Sequence, residues 1–268
     1  MSKANAKKGR LYLVPNTLDF GVEGAAVDLR EVLPQQVLDL AARLGFWAAE
    51  NAKTTRAFLK RVDALVPLAR PLQELQIKEL PRPAKGGDRG GDKGRGPEAA
   101  SDAAAWQALL EPVLAGHDLG LISEAGLPAI ADPGARLVAA AHAADIEVLP
   151  LTGPSSLMMA LAASGLNGQS FAFVGYLPVE PAARNARIRE LEALSARQQQ
   201  TQLMIETPYR NSALLQALLA SLKPQTRLSV SCGLSLPQGW TRSASVAEWR
   251  SSGESLPDKV PAVFALLG

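Results

Sequence analysis

The sequence predicts an α/β protein of two α/β lobes, with a parallel sheet in the N-terminal lobe and a mixed sheet in the C-terminal lobe. Three observations predict it. Short apolar runs alternate with helix-periodic segments almost from end to end, the pattern of strand–helix–strand units under a buried sheet. At 268 residues the chain is long enough for two separate cores. Beyond about Leu151 several strands are joined by short turns instead of helices, which calls for antiparallel pairs.

The elements follow in order. Leu11–Val14 reads as a first strand and Pro34–Leu44 as a helix with Val37, Leu38, Ala41 and Leu44 on one face. Phe46–Ala49 is a second strand, and Thr54–Leu65 a helix turning Phe58, Leu59, Val62 and Leu65 inward. Asp118–Ile122 is a strand, Gly134–Ala144 a helix and Ile146–Leu151 a strand. Domain one is therefore expected over 11–151 and domain two over 152–268. The second contains helix Ser156–Ala163, strand Phe171–Val174, helix Ala182–Leu194, strand Gln202–Glu206 and helix Asn211–Leu222. Strands Leu228–Cys232, Ser243–Val246 and Val263–Leu267 complete it. The segment Pro81–Ala100 holds six glycines, three prolines and no large apolar residue, and reads as a mobile loop inserted in the first domain.

Composition narrows the function classes. A formal net charge of +2 neither favours nor opposes a nucleic-acid partner, since a basic face can hide in a balanced total. The single cysteine, Cys232, forms no internal disulfide and suits a reducing compartment. One cysteine and two distant histidines, His117 and His142, supply no zinc-type ligand set, so no metal is expected. The apolar stretch Leu11–Val14 stops at Pro15, too short for a signal-peptide core. No apolar run approaches the roughly 18 residues that cross a membrane, so a cytoplasmic protein is expected.

Three Gly/Pro-rich turns follow predicted strands: Pro15-Asn16-Thr17, then Ser123 to Pro128 continuing to Asp132-Pro133-Gly134, then Thr152 to Ser156. In an open α/β sheet, ligands bind beyond the C-terminal strand ends, where these turns lie. Small residues there let backbone groups approach a ligand, and Ser155 or Ser156 suits a helix N-cap. Neither a G-x-G-x-x-G string nor a P-loop is present, so neither a common dinucleotide site nor an NTPase is supported.

Several strings in one order carry more. ISEAGLPAIADPG (122–134), LPLTGPSS (149–156) and IETPYRN (205–211) resemble the tetrapyrrole methylase superfamily, most closely its ribosomal RNA branch of RsmI-type 16S rRNA 2′-O-methyltransferases and their relatives. LYLVP (11–15), the Glu50…Thr54-Thr55-Arg56 block, GQSFAFVGYLP (168–178) and PAVFALL (261–267) are similar too. The resemblance implies a class III methyltransferase with S-adenosylmethionine (SAM) in the cleft between two α/β domains, in a homodimer. It implies cofactor contacts from Pro15, Ala125, Gly126, Leu127 and Ile130, from Ser155 and Ser156, and more loosely from Tyr209, Cys232 and Pro261. The sequence departs at the first loop, PNTLDFG where that branch has a Pro-Ile-Gly-Asn pattern, and at Glu124 where it has aspartate.

Methyl transfer from a sulfonium is an in-line displacement that depends mainly on positioning. A ribose hydroxyl still profits from a general base, and Glu50, Glu124 and Glu206 each sit at a predicted strand end. Each is equally suited to anchoring Arg56 or Arg210 as an ion pair. Lys53, Arg56, Arg184 and Arg187 are the candidates for RNA phosphates. The expected partner is RNA or a ribosomal subunit. A tetrapyrrole or other small-molecule acceptor is the alternative, as is a binding module for SAM or RNA without turnover.

Overall fold

The structure, a computed structural model, describes residues 7–19, 27–81 and 97–268, the side chains of 97–102 excepted. Two compact units divide in sequence after Pro154, three residues beyond the expected boundary.

The first unit contains β1 (Leu11–Leu13), α1 (Leu29–Val32), α2 (Gln35–Arg43), β2 (Phe46–Ala49) and α3 (Ala52–Asp63). β3 (Gln76–Glu79), α4 (Pro97–Ala108), α5 (Glu111–Leu114), β4 (Leu119–Ile122), α6 (Ala135–Ala143) and β5 (Val148–Pro150) follow. The strands form one sheet in the order β3-β2-β4-β1-β5, every pair parallel. Alternate strand residues feed two cores, as a doubly covered sheet requires. Tyr12, Trp47, Ala49 and Ile122 pack with Val37, Leu38, Phe58 and Leu59 of α2 and α3. Leu11, Ala48, Leu119 and Leu121 pack with Trp106, Val113 and Leu137 of α4, α5 and α6 and with Leu110 just before α5. Trp47 lies across Gly120, where an added Cβ would come within 2.7 Å of its ring.

The Pro81–Ala100 expectation needs correcting at one end. Residues 82–96 lie outside the described residues, but Pro97–Ala100 open α4. Proline at a first helical position, followed by Glu98 and a run rich in alanine, favours a helix over a loop.

The second unit contains α7 (Ser156–Ser164), β6 (Phe171–Tyr176), α8 (Pro181–Gln198), β7 (Thr201–Ile205) and α9 (Asn211–Ser221). β8 (Arg227–Cys232), β9 (Trp240–Ser245), α10 (Val246–Ser252) and β10 (Ala262–Leu267) complete it. Its sheet runs β6-β7-β10-β8-β9, with β6 parallel to β7 and all other pairs antiparallel, a mixed sheet. Ile188, Leu191, Leu214, Leu218 and Trp249 cover one face against Met204, Val230 and Phe264. Leu157, Ala160 and Leu161 of α7 cover the other against Leu203, Val263 and Ala265.

The expected strand Ser243–Val246 is shifted: it occupies Trp240–Ser245, and Val246 begins a helix. Ser245 is the reason, because its hydroxyl accepts the Glu248 N–H while the Glu248 carboxylate accepts the Ser245 N–H. Among the described residues no helix is long and apolar enough to cross a membrane.

Candidate functional site

In the first sheet the chain leaves β1 toward β2 on one side and leaves β4 toward β5 on the other. The connections therefore diverge above the C-terminal ends of β1 and β4, the place where such sheets bind ligands. Three of the turns singled out in the sequence follow β1, β4 and β5 at this end.

Asn16 ties the first two together. Its side-chain amide donates to the carbonyls of Ser123 (3.2 Å) and Glu124 (3.1 Å), and its Oδ1 accepts the Thr17 N–H (2.9 Å). The backbone adds Asn16 N–H to the Gly126 carbonyl (2.9 Å) and Gly126 N–H to the Thr17 carbonyl (3.2 Å). Gly126 has φ +65, which glycine adopts freely. Gly153, after β5, lies against Pro15 so closely that a Cβ would sit 2.2 Å from the Pro15 Cβ. Pro15, Ala125, Gly126 and Leu127 are thus brought together, and Ala125 and Gly126 are buried. Ile130 stands 47% exposed on the far part of the loop. That part holds Ala129 at φ +66 and Ala131 at φ +63, a backbone that is strained for alanine by about 1–3 kcal/mol each. The Ser123 hydroxyl is buried without a hydrogen-bond partner.

Two of the three candidate carboxylates meet here. Glu50, at the end of β2, accepts the Glu124 N–H at 3.0 Å through Oε2. Burial pushes the Glu50 carboxyl up; the Glu124 N–H opposes this and the Glu124 charge adds to it. A third acid joins them. Asp132 is pushed up to about 7, chiefly by burial and then by the charges of Glu50 and Glu124. Such a value suits proton exchange near neutral pH. Sequence reasoning quoted Asp132 only within its loop; the available signal was an acid in each of the stretches that follow β2 and β4.

In the second unit Glu206, Tyr209, Cys232 and Pro261 share one end of the sheet, because β7 and β8 end where β10 begins. Glu206 is buried and accepts from Arg210 through Nε (3.0 Å) and Nη2 (2.7 Å), and from the Thr207 N–H (2.7 Å). All of these bonds, and the Arg210 ion pair, fall on Oε1. Cys232 is buried, which pushes its thiol up. The Pro261 carbonyl accepts the Gly233 N–H at 2.9 Å. Tyr209 is 75% exposed, with the Arg210 guanidinium over its ring. Ser155 holds the N-cap position of α7 but makes no side-chain cap, so the first N–H groups of that helix, at Ser156 and beyond, have no capping side chain.

Of the phosphate candidates, Lys53 and Arg56 are exposed on the first turns of α3. Arg187 pairs with Glu190 at 2.7 Å, and Arg184 is half-buried with its Nε lacking a partner.

Known proteins resemble this chain in sequence and in fold. The chain is 39% identical over 113 residues to the ribosomal RNA small subunit methyltransferase I of Vibrio cholerae, covering 42% of this chain and 38% of that one. It is 42% identical over 114 residues to the protein of that name from Micromonospora olivasterospora, covering 42% and 35%. The Synechocystis protein is 38% identical over 124 residues, covering 46% and 43%. The matched stretch spans less than half the length of these relatives. Among solved structures, the uroporphyrin-III-C-methyltransferase from Thermus thermophilus superposes with TM-score 0.50 at 18% identity, over 97% of this chain and 92% of that one. The methyltransferase CobJ gives TM-score 0.53 at 14% identity, over 96% and 93%, so the two share the fold. Residues 52–246, well over half of the chain, match the family described as Tetrapyrrole (Corrin/Porphyrin) Methylases, and the chain belongs to that family.

Proposed function

We propose that this chain is a SAM-dependent methyltransferase acting on small-subunit ribosomal RNA at a ribose 2′-hydroxyl. The observation that carries the reading is its 36–42% identity to ribosomal RNA small subunit methyltransferases across a stretch of more than 100 residues. The residues present fit the cofactor. The Ser123–Pro128 loop offers small side chains, backbone polar groups and the orphaned Ser123 hydroxyl. When bound, SAM supplies the methyl group on an electrophilic sulfonium.

The chain's own contribution is positioning and proton handling. Alignment of acceptor and methyl is worth an effective molarity of about 10⁵–10⁸ M, against about 10²–10⁴-fold from a general base. Asp132 Oδ is the proton acceptor in this reading, since a carboxyl near 7 is substantially ionised at neutral pH yet basic enough to take a proton. Glu50 holds the Glu124 N–H and so fixes the start of the loop that carries Asp132. Exposed Lys53 and Arg56 would contact RNA phosphates. A homodimer and a cytoplasmic location, where ribosomal RNA is found, complete the proposal. For the dimer, edge strand β6 presents Phe171, Phe173 and Tyr176 at 39%, 36% and 42% exposure, an aromatic row suited to a second copy.

The test is methyl transfer from methyl-labelled SAM to purified small ribosomal subunits lacking the modification, with uroporphyrinogen as the competing acceptor. Label in ribosomal RNA is expected; label only in the tetrapyrrole contradicts the acceptor assignment, and label in neither contradicts turnover.

A further inference from the structure

A second pocket lies at the other end of the first sheet, where the strands begin. Its volume is about 510 Å³, within the range of small-ligand sites, and its lining includes Arg10, Tyr12, Arg43, Phe46, Arg70 and His117. The fold assembles it from three neighbouring strand starts. Arg10, Gly45 and Asp118 each immediately precede a strand, and the Leu119 N–H donates to the Arg10 carbonyl at 2.9 Å. The Ala69 N–H donates to the Ala42 carbonyl at 2.8 Å, and the residues that follow each of them, Arg70 and Arg43, both line the pocket. The Arg70 guanidinium lies over Gly45, whose notional Cβ would be 3.8 Å from Nη1.

The charges are unevenly committed. Arg10 pairs with Glu147 at 2.7 Å, and the lining's one acid, Asp118, accepts the Arg10 N–H at 2.9 Å. Arg43 and Arg70 have no acidic partner among the described residues. The negative end of α2 accounts for a cation at Arg43, but not for a second at Arg70 nor for the concavity around both. Beside them Phe46 and His117 stack with centroids 5.0 Å apart and planes 27° from parallel, and His117 is exposed. Guanidinium forks grip phosphate, and an exposed ring takes a stacked base.

We propose that this pocket binds a nucleotide, its phosphate held by Arg43 and Arg70 and its base against the Phe46–His117 pair, separately from the β1/β4 crevice. The proposal stands whether or not the crevice transfers methyl groups.

The test measures binding of three probes to the full chain: a short single-stranded oligoribonucleotide, AMP and inorganic phosphate. Arg43→Ala/Arg70→Ala is expected to weaken oligonucleotide binding at least tenfold. The slope of log K against log salt should flatten by about 0.7 if both side chains grip one phosphate. SAM titration should be unchanged, which shows that the variant is folded and the loss local. His117→Ala should weaken AMP and the oligonucleotide but not inorganic phosphate. A parallel loss for AMP identifies a free nucleotide as ligand, and a loss confined to the oligonucleotide identifies an RNA strand. Wild-type protein that binds no probe overturns the proposal. So does a double-alanine variant of unchanged affinity, or full recovery in Arg43→Lys/Arg70→Lys, which would leave only general charge attraction.

Discussion

Asp132 acquires its proton affinity from its neighbours. An ordinary aspartate near 3.8 becomes one near 7 because the fold buries it and sets Glu50 and Glu124 close by. The folded state therefore holds a proton that the unfolded chain releases as pH rises past about 4. The stabilisation is complete below that pH and is lost as pH climbs through about 7. Asp132→Asn is expected to flatten the melting temperature between pH 4 and 7 and to raise it at pH 7.5; a melting profile parallel to wild type would contradict the shift. In the methyltransferase reading, the wild-type rate should rise with pH through about 7, and Asp132→Asn should lower kcat roughly 10²–10⁴-fold with little change in SAM affinity. Asn16 shows the same dependence on partners in a structural role. Its amide serves two carbonyls of another loop, so Asn16→Leu should destabilise by about 1–3 kcal/mol in denaturant titration, because those buried acceptors are left unsatisfied. Neither role is legible locally: Asn16 depends on carbonyls 107 and 108 positions away, and Asp132 on Glu50, 82 positions away, as well as on nearby Glu124. That Pro15, Ala125, Gly126 and Leu127 lie together was legible as a grouping because the motifs that name them are themselves the loops.

Elements whose core face is written in their own pattern were read from sequence nearly to the residue. β2 is Phe46–Ala49 as expected, and α2 differs from its expected span by one residue at each end. Those that escaped are short or exposed. β3, Gln76-Ile77-Lys78-Glu79, has no buried residue and exists as a strand because β2 supplies a parallel edge. α1 and α5 have four residues each, too few for a periodicity to register. Close approaches between elements give two further tests. Gly120→Ala would press a methyl onto the Trp47 ring, and Gly153→Ala would press one onto the Pro15 ring. Each is expected to cost about 1–3 kcal/mol by overpacking, measured by denaturant titration. Gly153→Ala should also weaken SAM binding, because it displaces the first loop. Unchanged SAM affinity in a folded Gly153→Ala protein would remove Pro15 from the cofactor site.

At the scale of the molecule, two α/β units with one parallel and one mixed sheet were legible because helical crossovers and short turns leave different spacings between strands. The acceptor is the least legible property. The loops that would hold the cofactor are built from small residues and backbone groups in the family's pattern, whereas an RNA surface is a diffuse set of exposed cations. Of the four named from sequence, one is tied to Glu190 and another is half-buried. The pocket at the strand starts adds Arg43 and Arg70, which no motif marks. The most direct measurement of the central claim is mass spectrometry of nucleosides from small-subunit ribosomal RNA, in cells with and without this protein. The account expects a 2′-O-methylated nucleoside that disappears with the protein and returns when wild-type chain is resupplied, but not when the Asp132→Asn chain is. An unchanged nucleoside profile would contradict it.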